Sequence, residues 1–282
     1  MSRMTRNLSF SIAVALGALG LAGTASAAPV SYTNHTSINV PNNSGIDGIP
    51  DTVQVPAGRT PVQSVEVSNA QPIWSSGGTD FEMWLNDPSG TRLDLMTIGC
   101  PTMNPGTHFA VRDGAAVFAD DTIAFCNNQL NGGEGKPNDP GGGTFASKYN
   151  GKPSSGTWTL FLRDAGINGT SGVFNDWTLT IVHAPFALTA SANKQKLKKT
   201  LLVNASCNAN CSLSTTGGDA APSTFSLLQG QSQQLSVPLT KKARKRLRKK
   251  GKASIALNAD DGYGDPPAAT TVTVKLKRKH KK

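Results

Sequence analysis

Histidine and cysteine are both scarce in this 282-residue chain, with four of each. That scarcity bounds the chemistry it can hold. The histidines are His35, His108, His183 and His280, and no Gly-x-Ser-x-Gly elbow exists to set a nucleophilic serine beside any of them. An H-E-x-x-H zinc motif is missing too. A Ser-His-Asp set is recognised by geometry rather than by order, so a peptidase in its own right remains a third-ranked reading, with no segment pointing to it. Long apolar runs are lacking past residue 27, where no stretch approaches the ~20 apolar residues of a membrane-spanning helix. The expectation is a non-catalytic protein without a transmembrane segment.

What is present begins with an export signal. Arg3 and Arg6 precede an apolar and small-residue run from 8 to 23, and Ala25-Ser26-Ala27 follows as an A-x-A cleavage site. Residues 1–27 thus read as a signal peptide cleaved after Ala27, the rival being an uncleaved anchor. The mature chain is expected to be secreted and extracellular. Charge then divides it in two. Residues 29–186 hold 7 Lys+Arg against 14 Asp+Glu, and residues 187–282 hold 19 against 4. Asymmetry of that size marks two modules with different surfaces, and only the second invites an anionic partner. The boundary falls just past His183, giving modules at 28–184 and 185–282.

The cysteines divide the same way. Disulfides within each module, Cys100–Cys126 and Cys207–Cys211, are the simplest of the three pairings that four cysteines allow, and export favours their formation. Cys207-Asn-Ala-Asn-Cys211 could also act as a metal knuckle, but no second Cys or His pair lies near it. A bridge clipping a tight turn is the better reading.

Two segments carry the core of the first module. Trp158, Leu160 and Leu162 alternate with Thr157, Thr159 and Phe161, and Trp177, Leu179 and Ile181 alternate with Thr178, Thr180 and Val182. A period of two puts each Trp/Leu set on one face of a sheet. Gly-rich turn chemistry joins the two segments from Ala165 to Gly172. From Asn127 to Gly143 the chain is rich in Asn, Gly, Pro and Asp, which predicts a long loop.

The paired Trp segments resemble the closing strands of the P domain, or Homo B domain, which follows the catalytic domain in subtilisin-like proprotein convertases of the kexin and furin type. Upstream pieces fit in order. Ile49-Pro50-Asp51 resembles the family's entry segment and Val62 to Val67 its first long strand. Thr79 to Thr91 resembles its Gly-Asp-Leu strand and Ser-Pro-x-Gly-Thr turn. Phe118 to Asp121 is similar to its Phe-Asp-Asp step, and Phe145 to Gly151 to its Phe-x-Gly lead-in. The likeness covers roughly residues 35 to 184. It implies a jelly-roll-like β-sandwich that serves as an accessory to a subtilisin-like serine endopeptidase. No segment here resembles the catalytic Asp, His and Ser regions of that enzyme.

The resemblance also implies bound Ca²⁺, a hard cation held by carboxylates and carbonyls. Asp80, Asp120, Asp121 and Asp164 stand at the matching positions. Each could instead make an Asx turn or cap a loop. Thr170-Ser171-Gly172 replaces an Asp-Thr-Gly common in the family, and no histidine between Asn69 and Gly78 answers a family histidine there. One site is expected to survive, built mainly by Asp80 and Asp120 or Asp121.

In the second module, short alternating segments at 197–203, 212–215, 232–237, 253–258 and 271–276 predict a small Ig-like β-sandwich, loosely similar to modules of secreted actinobacterial proteins. Between two of them, Lys241 to Lys250 reads as a short helix with Thr240 as N-cap and Gly251 just past its end. Leu239, Ala243 and Leu247 give that helix one apolar edge. Its cations are Lys241, Lys242, Arg244, Lys245, Arg246, Arg248, Lys249 and Lys250. They either solvate an exposed face or hold an anionic cell-wall polymer, which would make the protein envelope-associated. No aromatic is interleaved with them, which argues against a specific nucleic-acid site.

Overall fold

The computed structural model of the chain describes residues 28–74, 81–97, 108–116, 118–119, 131–166 and 171–277. Both modules are all-β sandwiches, as the alternation predicts, with two short helices set between strands. The first contains β1 (Val30–Asn34), β2 (Ile38–Val40), β3 (Ile49–Val55), β4 (Val62–Ala70), β5 (Pro72–Trp74), β6 (Phe81–Asn86) and β7 (Arg92–Met96). It continues with β8 (His108–Val111), β9 (Asn131–Gly135), helix α1 (Phe145–Tyr149), β10 (Gly156–Asp164), β11 (Gly172–Phe174) and β12 (Trp177–His183). One sheet has the order β1-β12-β4-β8-β9, a second β3-β10-β6-β7, and a small third β2-β11-β5.

The two tryptophan segments therefore lie in different sheets. β10 is flanked by β3 and β6, while β12 sits between β1 and β4. Trp158, Leu160 and Leu162 come from one sheet and Trp177, Leu179 and Ile181 from the other, all fully buried in one hydrophobic cluster. The connection after Ala165 thus crosses the sandwich instead of closing a hairpin. β11 occupies part of it, and the second segment breaks at Asn175 and Asp176 into β11 and β12. Both indole N–H groups are satisfied: Trp158 Nε1 donates to Ser154 O at 2.7 Å, and Trp177 Nε1 to Asp51 Oδ2 at 2.9 Å. A buried donor left without a partner costs about 1–3 kcal/mol, so these two acceptors fix the ring orientations.

One segment departs from the predicted loop, and the lead-in to β10 forms a short helix. Asn131–Gly135, inside the Gly-rich stretch, forms β9 and pairs parallel with β8. Part of its glycine content serves close approach, because a Cβ on Gly135 would come within 2.5 Å of Ala119 Cα. Phe145–Tyr149 forms α1, capped by the Thr144 side chain, and the Asp113 carboxylate accepts from its first amides, Phe145 N and Ala146 N, at 2.8 Å each. Buried Phe145 and Tyr149 dock this helix on the core. Tyr149 meets Trp158 edge-on at 5.1 Å and donates its hydroxyl to Leu85 O at 2.6 Å.

The second module comprises β13 (Leu188–Ser191), β14 (Thr200–Cys207), β15 (Cys211–Gly218), β16 (Thr224–Leu227), β17 (Gln233–Pro238), helix α2 (Lys241–Lys250), β18 (Lys252–Asp260) and β19 (Ala268–Lys275). Its sheets, β13-β14-β17 and β16-β15-β18-β19, enclose a separate core that includes Leu201, Val203, Leu213, Leu235 and Ile255. The Cys207–Cys211 disulfide closes the β14–β15 turn. Helix α2 has the predicted limits. Thr240 Oγ1 accepts from Ala243 N at 3.0 Å, Gly251 is left-handed at φ 67°, and Ala243 and Leu247 are buried. No helix among the described residues is long and apolar enough to cross a membrane.

Candidate functional site

Buried carboxylates are the groups in the first module that demand an account, because a buried charge is tolerated only when it is paired or hydrogen-bonded. Among the described residues there are three of them: Asp51, Asp87 and Asp164. Asp51 Oδ1 accepts from Asn34 Nδ2 and from Thr52 N at 2.9 Å, and its Oδ2 takes the Trp177 indole. Burial nonetheless pushes its carboxyl above the ordinary range. Asp87 Oδ1 accepts from Ser89 N at 2.9 Å and Thr91 N at 2.8 Å, pinning the Pro88-to-Gly90 turn, while Lys152 Nζ lies 3.3 Å from Oδ2. These hydrogen bonds, with the lysine charge, outweigh desolvation and lower its pKa.

Asp164 is different. It ends β10, is 2 % exposed, and its Oδ1 accepts from Gly166 N at 3.0 Å. Its Oδ2 is buried without a hydrogen-bond partner among the described residues. An acceptor oxygen left bare in the interior, beside a loop, is what a hard cation would engage. Asp164 pairs across the sheet with Phe81, the residue that follows Asp80 in the chain. Asp80, Asp120 and Asp121 themselves lie outside the described residues, as do Cys100, Cys126 and the cleavage residue Ala27. Among the described residues, no group of three or more His, Cys, Asp or Glu is placed to hold a metal ion.

The structure also brings together a serine and a histidine that the sequence keeps 29 residues apart. Ser154 Oγ lies 3.4 Å from His183 Nδ1. The hydrogens of both point elsewhere, since Ser154 Oγ donates to Thr60 O at 3.2 Å and His183 Nδ1 lies 2.9 Å from the same carbonyl. A carbonyl can only accept, so the proton of the neutral ring resides on Nδ1 and leaves no base facing the serine. Both side chains are buried, Ser154 completely. This is a packed hydrogen-bond knot under the β3–β4 connection, not a nucleophile with its base.

The knot carries a pH dependence. His183 Nε2 is buried without a partner among the described residues, and burial, more than any other influence, holds the ring's pKa below the ordinary 6.5. The unfolded chain therefore takes up this proton first as pH falls. Stability from this group is complete above about pH 6.5 and is lost as pH drops toward the depressed native value. Urea titrations between pH 7.5 and 5 are expected to show that loss, and His183→Gln is expected to flatten it. An unchanged slope in the variant would move the acid sensitivity to another group.

In the second module the cations of α2 are exposed except for Arg244, which is half-buried. Arg246 pairs with the buried carboxylate of Asp219, whose Oδ2 also accepts from Ser254 N at 3.0 Å. This link, with Ala243 and Leu247, ties the helix to β18 and turns its remaining charges outward.

No protein-family model matches the chain, and no curated protein does. Solved structures include a distant likeness to a serine protease of Aeromonas sobria, both alone and in complex with the chaperone ORF2. Sequence identity is 16% and the TM-score 0.32 in both cases. The alignment covers 56% of this chain for the complex and 55% for the protease alone. The chain spans only 27% of the length of either protein it matches.

Proposed function

We propose that the protein is an exported, non-catalytic accessory module of the P or Homo B type, working beside a subtilisin-like serine endopeptidase. The observation that carries this reading is the use made of the segments that resemble the family. Ile49 to Asp51 opens β3, Val62 to Val67 lies in β4, and Phe81 to Leu85 lies in β6, followed by the turn that Asp87 pins. The Trp158 and Trp177 segments supply the facing strands β10 and β12 of the same core. The Ser154–His183 knot offers no turnover chemistry of its own. The test is capture on the mature chain from the producer's culture medium, followed by labelling with an active-site serine probe. Retention of a labelled subtilisin-type peptidase, with no label on the chain itself, supports the reading. Labelling of the chain, or no peptidase retained, counts against it.

Within this reading, Asp164 helps to hold a structural Ca²⁺ together with Asp80 and Asp120 or Asp121. The ion would cross-link strand ends and loops without taking part in any reaction. Its expected signature is modest: chelation lowers the melting midpoint by roughly 2–4 °C for each kcal/mol of binding free energy. Asp164→Asn removes the difference between chelated and calcium-loaded protein. A midpoint indifferent to chelator overturns the structural ion.

A second reading is favoured by the basic helix. Apart from Arg246, none of its cations has an ion-pair partner among the described residues. On this reading the second module retains the protein at the cell envelope by holding an anionic wall polymer.

A further inference from the structure

The fold supplies a second set of cations beside the helix. At one corner of the second sandwich, Leu239 N donates to Lys199 O at 2.9 Å, immediately before the N-cap Thr240. At the other corner, Leu276 N donates to Gly251 O at 2.8 Å, at the C-terminal end of α2. Beside it, Gln195 N donates to Lys275 O at 3.0 Å and Lys277 N to Gln195 O at 2.8 Å. The 195–199 segment and α2 therefore span the same two corners and cover one end of the sandwich. Leu239, Ala243, Leu247 and Leu276 belong to the core below, and Leu197 packs against it. The lysines at 194, 196, 198 and 199 are consequently exposed, as are Lys252, Lys275 and Lys277.

Little in the module offsets this field. Asp219 is already paired with Arg246. The module's other acids, Asp260, Asp261 and Asp265, lie at the opposite end of β18, a nine-residue strand. That places them about 27 Å from Lys252, well beyond the screening length of ~8–10 Å in physiological salt. Holding so many like charges at one end costs stability through self-repulsion, and an anionic partner removes that cost.

We infer that this composite end, formed by α2, the 194–199 segment and the lysines at 252, 275 and 277, binds a linear phosphodiester polymer through its charges. The inference rests on the envelope-retention reading and names its surface and ligand. A polymer fits better than a small anion because the basic track runs the length of α2, about 15 Å. Arg244 and Arg248 stand one helical turn apart and offer guanidinium forks to phosphate oxygens, and Arg244 Nε is buried without an acceptor. Base readout has no platform here. Phe186 and Phe225 pack against the core, and Tyr263 lies in the β18–β19 loop at the opposite end.

The experiment uses the full mature chain and fluorescently labelled poly(glycerol phosphate), with poly-L-glutamate as the carboxylate comparison. Affinity measured across salt is expected to fall with a log–log slope of about 0.7 for each phosphate engaged. Replacing Lys194, Lys196, Lys198 and Lys199 together by Gln is expected to weaken binding about tenfold or more at low salt and to lower the slope by up to about 3. The melting midpoint of that variant should not fall, which separates lost charge from lost fold. A wild-type slope and affinity in this variant overturn the composite surface, while weakening by Arg244→Gln/Arg248→Gln alone leaves the envelope-retention reading standing. Failure of the wild-type chain to bind at low salt overturns both. Equal affinity for poly-L-glutamate overturns the assignment to phosphate.

Discussion

Trp177→Ala is expected to destabilise the first module by about 3–5 kcal/mol, a large part of the roughly 5–15 kcal/mol that holds a domain together. The magnitude follows from burial. The indole is fully buried between the sheets, and a side chain of this size removes about 150–250 Å² from water at about 25 cal/mol per Å². A second contribution is specific to this site. Asp51 Oδ2 takes its hydrogen bond from Trp177 Nε1, so truncation strips a buried carboxylate whose pKa burial has already raised. Trp177→Phe isolates that contribution. It keeps most of the apolar volume and is expected to cost about 1–3 kcal/mol, the range for a buried polar group deprived of its partner. Adding Asp51→Asn to Trp177→Phe should recover part of the loss, since the stranded group is then neutral. Urea unfolding followed by tryptophan fluorescence reads all three variants. A loss under 1 kcal/mol in Trp177→Ala would mean that the two sheets do not depend on this ring. The second module, whose core shares no residue with the first, should lose only what its contact with Ala57 and Gly58 contributes.

The same residues show how much could be read from the sequence. Strict alternation in β10 and β12 identified the inward faces, because burial on one side of a sheet imposes a period of two. It carried no information about which sheet each strand would join. That depends on long-range pairing, with β3 beside β10 and β1 beside β12, fixed by residues more than 100 positions away. Helix α2 was legible to its ends since Thr240, Leu247 and Gly251 act locally. Helix α1 is only five residues long, too short to show a helical period, and two of its first amides are held by Asp113, 32 residues before Phe145. β9 was hidden by its own composition: Asn and Gly normally mark loops, whereas Gly135 is there to let Ala119 approach. At the candidate metal position, resemblance pointed to Asp164, but only the fold shows that one of its oxygens is buried without a donor. Neither the Ser154–His183 knot nor the convergence of the 194–199 lysines on α2 has a local signature, since both are made by tertiary contact alone.

Gly58→Val is expected to uncouple the two modules. The Ala57–Gly58 turn between β3 and β4 is where the first module meets the second. Asn210 N, in the β14–β15 turn, donates to Gly58 O at 2.8 Å, and Tyr263 Oη donates to Ala57 O. Arg59 lies over the Tyr263 ring, 4.3 Å from its centroid. The junction tolerates no side chain at position 58 for two separate reasons. Gly58 has φ of +88°, a conformation that costs a β-branched residue about 1–3 kcal/mol. Its Cβ would also stand 2.6 Å from Asn210 Cγ, so the Asn210 side chain must withdraw and its Oδ1 releases Gln229 N, from which it accepts at 2.9 Å. Calorimetry of the wild-type chain should show the modules melting close together, and Gly58→Val should split the profile, lowering the first transition. Tyr263→Phe tests the junction without backbone strain. It removes the hydrogen bond to Ala57 O while keeping the ring under Arg59, and should produce a smaller separation of the same sign. If Gly58→Val lowers the first transition while Tyr263→Phe leaves both unchanged, the effect belongs to the strained turn alone and the modules are not coupled through this contact. Coupling matters for the basic end, because β18 and β19 run from the junction loop at Tyr263 to the lysines at 252 and 275. A firm junction holds that end about 27 Å away from the acidic module, where its field is least screened by the wrong charges.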